Sequence, residues 1–114
     1  MDLKFTDEQD MLRETTQALC RDASGMDVVR QMENDPIGIP EKLWTGMREA
    51  GLTGIFVPEE YGGTGLDLLS CVVIYEELGR ALAPGPHFGS AVMSVLAVRE
   101  AGSAAQKSAL RICM

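Results

Sequence analysis

Val57-Pro58-Glu59-Glu60-Tyr61-Gly62-Gly63-Thr64-Gly65 is followed, after a short apolar segment, by Glu76-Glu77-Leu78-Gly79-Arg80. The first block interrupts regular structure, because Pro58 lacks an amide donor and glycine takes positive φ without steric penalty. It reads as a turn between two helices. A glycine-rich turn ahead of a helix can also cradle phosphate. Here, however, there is neither a strand leading into G-x-G-x-x-G nor a G-x-x-x-x-G-K-[ST] loop, and Glu59, Glu60 and Asp67 would repel an anion. The paired acids Glu59-Glu60 and Glu76-Glu77 resemble acid and base couples only superficially, since neighbours on a helix point about 100° apart. They read as solvated or salt-bridged, with Arg80 at helical spacing as partner for Glu76 or Glu77.

Working outward, Asp67 suits the cap of a fourth helix carrying Leu68, Leu69, Cys71, Val72, Ile74, Tyr75, Leu78 and Leu82. That apolar set is wide enough to expect cover on both sides and a place at the centre of a bundle. Pro84 and Pro86 stop the helix. A fifth is expected from about Phe88 to Ala101, with Val92, Met93, Val95, Leu96 and Val98, closed by Gly102. Ser103 with Gln106 has capping-box spacing and opens a sixth. Upstream, Leu52 to Val57 is a short apolar run that spacing leaves open between strand and coil. A third helix begins at Pro40, carries Leu43, Trp44 and Met47, and closes at Gly51 in a left-handed cap. Trp44, the sole tryptophan, is expected to anchor the core, its loss to alanine costing about 3 to 5 kcal/mol. Asn34 to Gly38 reads as a turn, and a short second helix fits Asp27 to Glu33. Thr6 with Gln9 makes another capping box and starts a first helix with Met11, Leu12, Thr15, Ala18 and Leu19 on one face, ending near Gly25. The fold class is all-α: a helical bundle of about five to six helices, one domain over residues 1–114.

Composition narrows the function. With 46% hydrophobic residues and no apolar run near the ~20 needed to cross a bilayer, the chain reads as soluble and cytoplasmic, with no membrane span. A net charge of −7 with scattered basic residues argues against nucleic-acid binding. Cys20, Cys71 and Cys113 form neither a C-x-x-C pair nor a disulfide framework and are expected as buried, reduced thiols. His87, the single histidine, is read as a surface or helix-start residue, because no nucleophile motif accompanies it. A histidine-based metal site is excluded, and the metal ligands are none.

Several stretches fall in the order found in acyl-CoA dehydrogenases. They are Phe5-Thr6-x-x-Gln9 with Leu12-Arg13, Trp44 with Glu49-Ala50-Gly51-Leu52-x-Gly54-Ile55, Pro58 to Gly65, Glu76 to Arg80, and Ala101-Gly102-Ser103-x-x-Gln106-Lys107. The chain resembles the amino-terminal helical domain of that family over nearly its whole length. Leu78-Gly79-Arg80-Ala81-Leu82-x-Pro84 looks like its bacterial members. The resemblance implies α,β-dehydrogenation of an acyl-CoA thioester, with hydride passing to FAD and electrons onward to an electron-transferring flavoprotein. It also implies a homo- or hetero-oligomer. In such enzymes the catalytic glutamate and the flavin contacts lie in the middle and carboxy-terminal domains, without counterpart in this sequence. Catalytic and cofactor-binding residues are therefore assigned as none, and the chain alone is expected to be colourless and inactive. What the amino-terminal domain supplies is one wall of the acyl pocket, which by correspondence places Phe88, Ser90, Ala91, Val92 and Met93 there; ordinary helix core is the other reading of those positions.

After Gln106-Lys107 the family pattern continues with a Leu-Pro and a Gly-Glu turn, whereas this sequence has Leu110-Arg111-Ile112-Cys113-Met114. A split subunit, an expressed piece and a truncated gene product are all compatible with that departure. Besides a piece of a dehydrogenase, a non-catalytic helical interaction module and an acyl-chain binder without redox chemistry remain as readings. The first also predicts exposed apolar surface on the fourth and fifth helices, available for association.

Overall fold

In the computed structural model, residues 1–113 are described, with side chains through Arg111. The Cys113 expectation lies outside the described side chains. Helix α1 (Asp7–Ala23) starts at the capping box: the Thr6 hydroxyl accepts from the Gln9 amide at 3.2 Å, and the Gln9 side chain accepts from the Thr6 amide at 3.0 Å. Its buried face carries Gln9, Thr16, Cys20 and Ala23, with Leu12 and Leu19 beside them, while Met11 lies in solvent. Gly25 is the N-cap of α2 (Met26–Met32). Pro40 occupies the N-cap of α3 (Glu41–Glu49), and Gly51 takes the expected left-handed conformation at φ 76°.

The run between α3 and the glycine block is neither strand nor plain coil. Leu52–Gly54 is a 3-10 turn, and Leu52, Ile55, Phe56 and Val57 are each at most 3% exposed. These residues share one core with Leu43, Met47, Cys71, Ile74, Leu78, Val92 and Val95. Trp44 is half-buried and packs on the core's edge instead of anchoring its middle.

Helix α4 (Leu68–Arg80) is capped by Asp67, whose carboxylate accepts from the Ser70 amide at 2.9 Å and hydroxyl at 2.7 Å. α4 packs most extensively against α1. It is not covered on both sides: Leu68, Leu69 and Val72 are between 50% and 64% exposed. It also ends before Leu82. The Leu82 amide bonds to the Gly79 carbonyl and the Ala83 amide to the Leu78 carbonyl, with Leu82 itself at φ 51°. That pattern is a Schellman stop, reached before either proline.

The fifth helical stretch divides into a π-helix (Phe88–Ser94) and α5 (Val95–Ala101); α6 (Ala104–Ser108) follows the second capping box at Ser103 and Gln106. Six α-helices and no strand are present among the described residues. No helix is long and apolar enough to cross a membrane. The body is a slab of 42 × 42 × 19 Å with a radius of gyration of 14.7 Å. A compact chain of this length has about 13 Å, so the helices make a thin layer with apolar residues left on its outside.

Candidate functional site

The glycine block is tied down by its own amides. Gly62 donates to the Glu59 carbonyl at 2.9 Å, Gly63 to Pro58 at 3.2 Å, Thr64 to Gly54 at 3.1 Å, Gly65 to Val57 at 3.0 Å and Leu66 to Ile55 at 2.7 Å. Gly62 and Gly65 have φ of 89° and 63°, the positive values expected of the turn. Gly63 is required for another reason: a Cβ there would collide with the Val57 carbonyl and side chain. With every amide from Gly62 to Leu66 committed, the turn has no backbone donor left to cradle a phosphate and does not fit the pyrophosphate of a flavin. Its work is to hold the buried stretch from Gly54 to Val57 in place.

The paired acids of α4 meet a partner from α1. Arg13 donates from Nη1 to Glu77 Oε1 and from Nη2 to Glu76 Oε2, both at 2.9 Å. Arg80 Nε is 3.5 Å from Glu77 Oε2, so the expected helical pair exists but is the weaker contact. Glu77 is 2% exposed and Glu76 is half exposed. The hydrogen bond to Glu76, followed by the contacts to Glu77, outweighs burial and raises the Arg13 pKa above its already high value. The Phe5 ring lies 5.0 Å from that guanidinium carbon. These carboxylates are tied across two helices to a permanent cation.

His87 is not at the surface. It is 3% exposed, its Nε2 lies 2.8 Å from the Leu52 carbonyl, and its Nδ1 lies 2.6 Å from the Tyr75 hydroxyl. A carbonyl only accepts, so Nε2 carries the proton, and Nδ1 accepts from Tyr75. Burial lowers the His87 pKa and raises that of Tyr75, keeping both neutral. Local sequence could not reveal this, because Leu52 and Tyr75 are 35 and 12 residues away.

Beside this trio, α4 and the π-helix enclose a groove of about 400 Å³ lined by Leu68, Cys71, Val72, Tyr75, Glu76, Phe88 and Val92. That volume lies within the range of small-molecule sites. Phe88 meets Tyr75 edge-on, with ring centroids 5.9 Å apart and planes at 84°. The polar groups around the groove are all engaged or neutral: Glu76 is held by Arg13, the Tyr75 hydroxyl donates to His87, and burial pushes the Cys71 thiol up to about 11. Such a groove, mostly apolar in its lining, can receive an apolar chain. Among the described residues no cluster of three or more His, Cys, Asp or Glu is placed to hold a metal.

Residues 6–110 match the family model of the acyl-CoA dehydrogenase amino-terminal domain. The chain belongs to the acyl-CoA dehydrogenase family. Within that family it is 35% identical over 101 residues to acyl-CoA dehydrogenase IpdE2 of Mycobacterium tuberculosis, covering 88% of this chain and 32% of the relative. Against IpdE2 of Mycolicibacterium smegmatis the identity is 34% over 92 residues, covering 80% and 30%. Among solved structures, the Tcur3481-Tcur3483 steroid ACAD, as a point variant, superposes with a TM-score of 0.84 at 34% identity, over 92% of this chain and 29% of that one. The chain thus spans about a third of the length of these relatives. It corresponds to the amino-terminal helical domain of an acyl-CoA dehydrogenase.

The positions carried over from the family fall unevenly about the groove. Phe88 is 56% exposed at its rim, and Val92, 6% exposed, separates it from the core. Ala91 is 2% exposed, Ser90 returns its hydroxyl to the Pro86 carbonyl at 2.9 Å, and Met93 is 58% exposed; none of these three is among the lining residues. The sequence does not single out Leu68, Val72 and Tyr75 as site residues. Its signal for them was the excess width of the apolar set on α4.

Proposed function

We propose that this domain supplies one wall of the acyl pocket of a flavin-dependent acyl-CoA dehydrogenase. The observation that carries the reading is the open, mostly apolar groove where the π-helix meets α4, sized for part of an acyl chain. Phe88 and Val92 form the wall on one side, with Leu68, Val72 and Tyr75 on the other. Ser90, Ala91 and Met93 belong to the helix that presents them. An apolar wall orients the chain and excludes water from the carbons next to the thioester, and burial of each CH₂ contributes about 0.8 kcal/mol. The proton-abstracting carboxylate and the FAD that accepts hydride enter with parts of the enzyme outside these residues. An electron-transferring flavoprotein is the proposed oxidant of that flavin, an oligomer the working form, and the cytoplasm the compartment. The 114 residues alone are proposed to be colourless and inactive.

Acyl-CoA turnover by the complete flavoenzyme carrying this domain tests the reading. Val92→Trp fills the groove and is expected to raise KM for long acyl chains about tenfold or more relative to short ones, with flavin content unchanged. Equal effects on all acyl groups, or a yellow and active 114-residue chain, would contradict it.

A further inference from the structure

We infer that Tyr75 and His87 are positioning residues that fix Phe88 at the rim of the groove, and so determine which acyl groups the groove admits. The inference rests on the reading of the groove as an acyl-pocket wall. The hydrogen bonds join three elements. Leu52 belongs to the buried 3-10 turn, Tyr75 to α4, and His87 immediately precedes Phe88 at the start of the π-helix. Between Pro84 and Phe88, Gly85, Pro86 and Phe88 are exposed, and His87 is the buried residue. It is therefore the peg that ties this connection to the core.

The peg stands at the start of the π-helix. Wide i→i+5 turns are rare, are mostly a single turn long, and occur often at functional sites. The Ser94 hydroxyl bonds to the Gly89 carbonyl at 2.7 Å, spanning the same five-residue interval. Phe88 is the first residue of this segment and Val92 its fifth, so both lining residues take their register from the end that His87 holds. The Tyr75 ring then supports Phe88 edge-on while its hydroxyl holds His87. Loss of the hydroxyl leaves the ring in place and removes one of the two hydrogen bonds that hold His87, loosening the register.

The test compares kcat/KM for a short straight-chain, a long straight-chain and a ring-bearing acyl-CoA in the complete flavoenzyme. Wild type, Tyr75→Phe, His87→Gln, the double variant and Leu43→Ala are compared. Tyr75→Phe is expected to change the ratio between the best and poorest acyl group about tenfold, through KM, with kcat within about twofold. The Tyr75→Phe and His87→Gln effects should be non-additive, because both break one linkage. Leu43→Ala removes a core side chain outside the groove lining and should lower Tm while leaving the ratio unchanged. A ratio within about twofold of wild type in Tyr75→Phe, or one shifted as far by Leu43→Ala, would overturn the inference. A wild-type enzyme that turns over no acyl-CoA would overturn the proposed function itself, and the positioning role with it.

Discussion

Gly63 has no room for a side chain, and the reason is the close approach of Val57 beneath it. Gly63→Ala should cost about 1 to 3 kcal/mol, the usual range for forcing atoms into a packed site, read as a lower denaturant midpoint. His87 makes the clearest pH-dependent contribution. Its folded pKa lies below the ordinary 6.5, because burial disfavours the cation. The native state therefore binds fewer protons than the unfolded chain once pH falls under about 6.5. Stability is full above that value and is lost progressively as pH drops towards the folded pKa. His87→Gln should remove this part of the acid limb, and an unchanged limb in urea titrations between pH 7 and 5 would contradict the assignment. The Arg13 clamp was present in the sequence only as an unassigned Leu12-Arg13. Its partners lie 63 and 64 residues away, beyond any helical spacing rule.

At the level of elements, what was legible was local. Thr6 with Gln9, Ser103 with Gln106 and Asp67 each start a helix where expected, because a cap is made by residues three positions apart. The end of α4 was less legible, since its stop uses Leu82 in a left-handed conformation that favours glycine. Leu82→Gly should therefore stabilise the chain by about 0.5 to 1 kcal/mol, as Leu82 is 62% exposed and loses little packing. The apolar excess on α4 was visible in the sequence, but its direction was not. Leu68, Leu69 and Val72 are exposed, and Leu68 and Val72 share a groove with the exposed Phe88. The 114-residue chain is expected to self-associate through this face in sedimentation velocity, and Leu69→Glu to shift it towards monomer. Strictly monomeric wild type at high concentration would count against it.

The whole molecule is a helical layer 19 Å thick whose core includes a threaded stretch, Leu52 to Val57, clasped between helices and laced down by the glycine block. That arrangement explains how so short a chain presents an apolar groove of about 400 Å³: the α4 and π-helix faces are held from behind and left open in front. The fold class followed from capping and composition. The groove did not, because it depends on which faces of two helices come together and on a histidine buried by residues far along the chain. The most direct measurement is a structure of the complete enzyme with a non-reactive acyl-CoA analogue. The account predicts acyl carbons within about 4 Å of Phe88 and Val92, the distance of apolar contact. An acyl chain that touches neither residue, with the groove open to solvent, would contradict it.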